Sequence, residues 1–138
     1  MSPSRKVPLT RDLQVLAVLF ATSATVHLVR PQFFEAIVPP GLPAPRGLVY
    51  ASGVAELACA AGLLHPATRQ VAGWASAALL VAVFPANLQM AVTEGKRARR
   101  GSGSRGRHVA TLMRLPLQIP LIRTALKATG GVCSVKQG

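Results

Sequence analysis

The sequence predicts an all-α fold: an integral membrane four-helix bundle with a Pro-rich loop between the first and second helices. Three observations predict it. Half of the 138 residues are hydrophobic and only 14% are charged, against about 25% charged in ordinary soluble domains. The apolar residues gather into four segments near the ~20 residues that a helix needs to cross ~30 Å of hydrocarbon. Prolines, glycines and charges stop each segment, and mean hydropathy is +0.38.

The first segment spans about residues 13–29, after a basic start with Arg5, Lys6 and Arg11. Arg30-Pro31 ends it, because proline has no N–H to donate and clashes with a preceding helical turn. A signal peptide is the rival reading, with small residues at Ala21 and Ser23. The run nevertheless stays apolar to Val29. Residues 31–46 hold prolines at 31, 39, 40, 43 and 45, which exclude a regular helix. Phe33, Phe34, Ile37 and Val38 place this stretch at the membrane interface.

The second segment covers about 47–64 and stops at His65-Pro66. The third covers about 71–92, with Trp74 as an interfacial anchor and Pro85 as a kink. Residues 94–108, EGKRARRGSGSRGRH, read as a flexible basic loop against anionic lipid. The fourth and least apolar segment covers about 109–126 and carries Arg114, Gln118, Arg123, Pro116 and Pro120. Together these give one domain over 1–138.

Net charge is +12, which calls for an anionic partner. On so apolar a chain that partner is membrane lipid, not nucleic acid. Basic residues do not orient the chain, since the two faces carry seven and eight of them. Cys59 and Cys133 form no Cys-x-x-Cys motif, so Cys59 reads as a small buried hydrophobe.

Glu56 stands near the centre of the second apolar run. A carboxylate there is costly unless it is neutralised or paired, and it faces a bundle interior. At 1.5 Å per residue, four antiparallel spans put His27 about 5 Å deep, Asn87 and Arg114 about 9 Å, Glu56 about 13 Å and Gln118 about 15 Å. One leaflet thus collects a polar residue from every span. Val49, Ser52, Gly53, Glu56, Cys59, Ala60 and Leu63 fall on one stripe of the second helix. The expected site is an intramembrane pocket with a Glu56/Arg114 ion pair, lined by Gln118, Asn87, His27, Ser52 and Tyr50. Two alternatives stay open: the pair only fixes helix register, or Glu56 is neutral and bonded to backbone. Asn87 is also placed to satisfy a carbonyl freed by Pro85. No His-Glu-x-x-His, Gly-rich phosphate loop or Gly-x-Ser-x-Gly occurs, so no catalytic residue is assigned.

The strings VPPGLPAPRGLVYASGVAEL (38–57), GLLHPATRQVAGW (62–74), VFPANLQMA (83–91) and RLPLQ (114–118) resemble the DoxX-like family of small four-helix bacterial membrane proteins. The resemblance extends over about residues 21–126. The matching positions are His27, Pro31, Pro40, Pro43, Tyr50, Ser52, Gly53, Glu56, Arg69, Pro85, Asn87, Arg114, Pro116 and Gln118. Leu28 and Thr124 depart where an aromatic and a tryptophan are common, and the basic 94–107 stretch looks like an expansion. The resemblance implies a multi-pass protein of the bacterial inner membrane. It also implies a link to membrane redox complexes, with a quinone as the possible cofactor and a membrane redox protein as the possible partner. Two functions follow as expectations: a binder of a small molecule or lipid, or a support of a membrane complex. The alternative is a non-catalytic subunit of a quinone-linked oxidoreductase.

Overall fold

A computed structural model describes residues 6–36, 38 and 40–130. Ile37, Pro39 and Cys133 lie outside the described residues. Every regular element among those described is helical: α1 (Arg11–Val29), α2 (Gln32–Glu35), α3 (Pro45–Leu64), α4 (Arg69–Arg99) and α5 (Arg105–Lys127).

The expected four helices are therefore five, because the Pro-rich stretch contains the single turn α2. Pro31 caps that turn, and Pro45 opens α3 at a first-turn position where a missing N–H costs nothing. Three helices, α1, α3 and α4, are long and apolar enough to cross a membrane. The fourth expected span is also a helix, α5, but its arginines leave it outside that set.

The 94–108 stretch corrects the sequence reading. It is mostly helix, and only residues 100–104 lie between α4 and α5. Lys96, Arg97 and Arg99 occupy the last turn of α4, where cations oppose the negative end of the helix dipole. Glu94 and Arg97, three residues apart, pair at 3.1 Å. The breaker is the Gly-Ser-Gly-Ser run alone. Gly101 there takes φ +71°, a left-handed conformation suited to glycine.

The order of packing positions the site. α1 lies against α3, α3 against α4, α4 against α5, and α5 closes on α1. α3 and α5 thus stand diagonally across the bundle. The apolar core sits toward one end, built from Leu13, Leu16 and Phe20 of α1, Cys59 and Leu63 of α3, Leu80 of α4 and Ala125 of α5. That end is tied by Lys127 to Asp12 at 2.6 Å and by Gln70 Nε2 to the Thr129 carbonyl at 2.9 Å. The buried His27, Glu56 and Glu94 lie outside that apolar core. Val18, Val54, Val81 and Ile119 are all more than half exposed, an outer surface suited to lipid tails.

Candidate functional site

The expected pocket divides into a closed cluster, an amide pair and an open cleft. The closed cluster joins α1 and α3. The buried residues of α3 are Val49, Gly53, Glu56, Cys59, Ala60 and Leu63, which is the stripe read from the sequence with only Ser52 half-buried. Gly53 lets the helices meet, because a Cβ there would stand 2.9 Å from the His27 Cβ. His27 and Glu56 are thereby brought together, with Nδ1 and Oε2 3.6 Å apart.

His27 Nδ1 also lies 2.8 Å from the Ser23 carbonyl. A carbonyl can only accept, so Nδ1 carries the proton and donates it. The Ser23 and Ser52 hydroxyls flank the Glu56 carboxyl. Glu56 Oε2 is nevertheless buried with no hydrogen-bond partner among the described residues. The outer face of the imidazole is covered by Phe34 of α2, stacked at a centroid distance of 3.8 Å and an interplanar angle of 13°. Arg46 of α3 holds the other side of α2 through Glu35 at 2.6 Å.

This corrects the central expectation. Glu56 lies beside His27, not Arg114. Arg114 is exposed, and the contact of its Nη1 is Met90 Sδ at 3.8 Å. The reason is topological: lying in the same leaflet brings two residues together only when their helices are neighbours, and α3 and α5 are diagonal. A double-mutant cycle checks the assignment. Glu56→Gln with His27→Gln is expected to couple by about 0.5 kcal/mol or more in unfolding free energy, whereas Glu56→Gln with Arg114→Gln adds within about 0.3 kcal/mol.

Gln118 and Asn87 form a third group. Gln118 is buried, and its Nε2 donates to the Leu80 carbonyl. Asn87 Nδ2 donates to Gln118 Oε1 at 3.4 Å. Pro85 interrupts the α4 ladder just beyond Leu80. Gln118 thus bonds the Leu80 carbonyl one residue before Val81, whose carbonyl Pro85 leaves without its helical donor, and the Asn87 side chain turns to Gln118. Tyr50 is exposed near the start of α3 and joins none of these groups.

The open cleft, of roughly 400 Å³, lies between α2 and the α4–α5 pair. Val26, Phe33, Phe34 and Met90 make its apolar wall, and Glu94, Arg97, Arg107 and Arg114 bring charge to it. Arg97 is neutralised by Glu94. Among the described residues neither Arg107 nor Arg114 has an acidic partner. Phe34 reaches both the cleft and His27, so the two sites adjoin. Of the cleft, the sequence reading found only Arg114 and the interfacial Phe33 and Phe34. The sequence reading places Glu94, Arg97 and Arg107 in the basic 94–108 loop, whereas they stand on α4 and α5. Their available signal was the Glu94/Arg97 spacing on a segment free of proline.

A family model described as a domain of unknown function, DUF8561, matches residues 16–129. The chain belongs to that family. No curated protein and no solved structure matches it. The DUF8561 match contains His27 and Glu56, the Asn87–Gln118 pair and every charged residue of the cleft, so both sites belong to the family region.

Proposed function

We propose that this DUF8561 protein is a multi-pass membrane protein that holds an anionic membrane lipid in the cleft between α2 and α4–α5. The observation that carries the reading is the pair of unneutralised guanidiniums, Arg107 and Arg114, facing the apolar wall of Val26, Phe33, Phe34 and Met90. Guanidinium groups suit phosphate through forked, charge-assisted hydrogen bonds. The cleft volume falls within the range of small-ligand sites, so it takes a headgroup and the first part of an acyl chain. Its place also fits. At 1.5 Å per residue the 31 residues of α4 extend about 46 Å, beyond a ~30 Å hydrocarbon layer. The Arg97 end of α4 therefore stands at headgroup level. The bacterial inner membrane, implied by the DoxX-like motifs, is part of the same proposal.

Native mass spectrometry of the full chain in mild detergent tests it. Arg107→Gln with Arg114→Gln is expected to lower retention of anionic phospholipid by about tenfold or more. Arg123→Gln, outside the cleft, leaves retention unchanged. Equal retention by all three proteins would reject the reading.

The second reading is a non-catalytic subunit of a quinone-linked membrane oxidoreductase. It rests on the DoxX-like motif residues and on the aromatic pair Phe33 and Phe34, whose flat rings suit a quinone. A stoichiometric quinone in the extract of the purified protein, in place of phospholipid, decides for it.

A further inference from the structure

We propose that the lipid held in the cleft is an anionic phosphodiester whose head carries a free hydroxyl, of the phosphatidylglycerol type. This rests on the lipid-binding reading and goes further by assigning the headgroup.

The assignment comes from Glu94. Its side chain lines the cleft and is only 11% exposed. Oε1 accepts from Arg97 at 3.1 Å. Oε2 is buried with no hydrogen-bond partner among the described residues. An orphaned carboxylate oxygen is costly, and a donor that reaches it recovers that cost. The ligand must then offer two things at once: an anion for Arg107 and Arg114, and a hydrogen-bond donor for Glu94.

Charge decides which kind of donor. Three arginines and one glutamate leave the cleft two net positive charges. An ammonium head would add a fourth cation beside the three arginines, whereas a hydroxyl donates to Glu94 and adds none. An alkyl head satisfies the arginines and leaves Oε2 empty-handed. The apolar wall accounts for the acyl chains.

The test compares dioleoyl phosphatidylglycerol with dioleoyl phosphatidylmethanol, read as bound fractions of the full chain in mild detergent. The two lipids share charge and tails and differ in the hydroxyls. The wild-type chain is expected to hold the glycerol lipid about tenfold more tightly. Glu94→Ala frees Arg97, which raises both anionic lipids alike, and it removes the preference for the glycerol lipid, so the two then bind within about twofold of each other. Glycerophosphoglycerol, the same head without tails, competes at least about tenfold less well. Equal wild-type affinity for the two lipids overturns the hydroxyl assignment and leaves lipid binding intact. Competition by the tailless head equal to that of the lipid reassigns the cleft to a soluble diester. Binding of neither lipid, or binding indifferent to Arg107 and Arg114, overturns this inference and the lipid reading together.

Discussion

Replacing Arg69 by alanine is expected to destabilise the bundle by about 3 kcal/mol or more, the largest single effect of a polar truncation in this chain. Arg69 opens α4 and is 5% exposed. Its Nε donates to the Leu63 carbonyl at 2.7 Å, Nη2 to the Leu64 carbonyl at 2.9 Å and Nη1 to the Val7 carbonyl at 2.5 Å. The first two acceptors belong to the last turn of α3, whose carbonyls have no partner within their own helix. One planar guanidinium therefore closes the end of α3, joins α3 to α4 and fastens the segment before α1. Each charge-assisted bond contributes on the order of 1.5–3 kcal/mol, and the three do not add fully. Arg69→Lys restores only part of the loss, because a point charge cannot fork to three acceptors. Denaturant titration of purified protein in mild detergent measures both variants. A loss below about 1 kcal/mol for the alanine variant would contradict the clamp.

The second large effect is steric. Gly73→Val is expected to cost about 3 kcal/mol, and Gly73→Ala about 1–2 kcal/mol. A Cβ at Gly73 would stand 2.7 Å from the Ala125 carbonyl oxygen, 2.8 Å from the Ala128 Cβ and 3.2 Å from the Ala128 carbonyl carbon. Two of these three atoms are backbone, so no side chain can rotate away. The start of α4 must separate from the end of α5, and the core around Ala72, Ala77 and Ala125 loses close packing with it. Gly106→Ala is the control. It lies in the first turn of α5, and its added Cβ meets only the Ser104 Oγ, at 3.5 Å. It should be neutral or slightly stabilising, since alanine is the better helix former. Melting temperatures in one detergent rank the three variants, and a Gly73→Val protein that melts with the wild type would show that the two helices do not meet at this glycine.

Much of the helical organisation was legible because helix period and hydrocarbon thickness are both local constraints. The stripe on α3 was read correctly because three- and four-residue spacing fixes which side chains share a face. The ends of α1 and α3 were read to within two residues because proline leaves the backbone little choice. The 94–108 stretch was misread because its charge density resembles a linker, whereas its prolineless run to Arg99 continues α4. Glu94 was then missed as a site residue for the same reason.

Chain order and residue type by themselves determined that Glu56 is buried, that it needs a partner, and that it lies in the half of the bundle that carries His27, Asn87 and Arg114. Tertiary structure alone decided which of these partners it meets. Depth along a helix is set by the 1.5 Å rise per residue, but contact also requires that two helices be neighbours. α1 adjoins α3 and gives it His27, while α5 stands across the diagonal and turns Arg114 to the cleft beside Phe33, Met90 and Glu94.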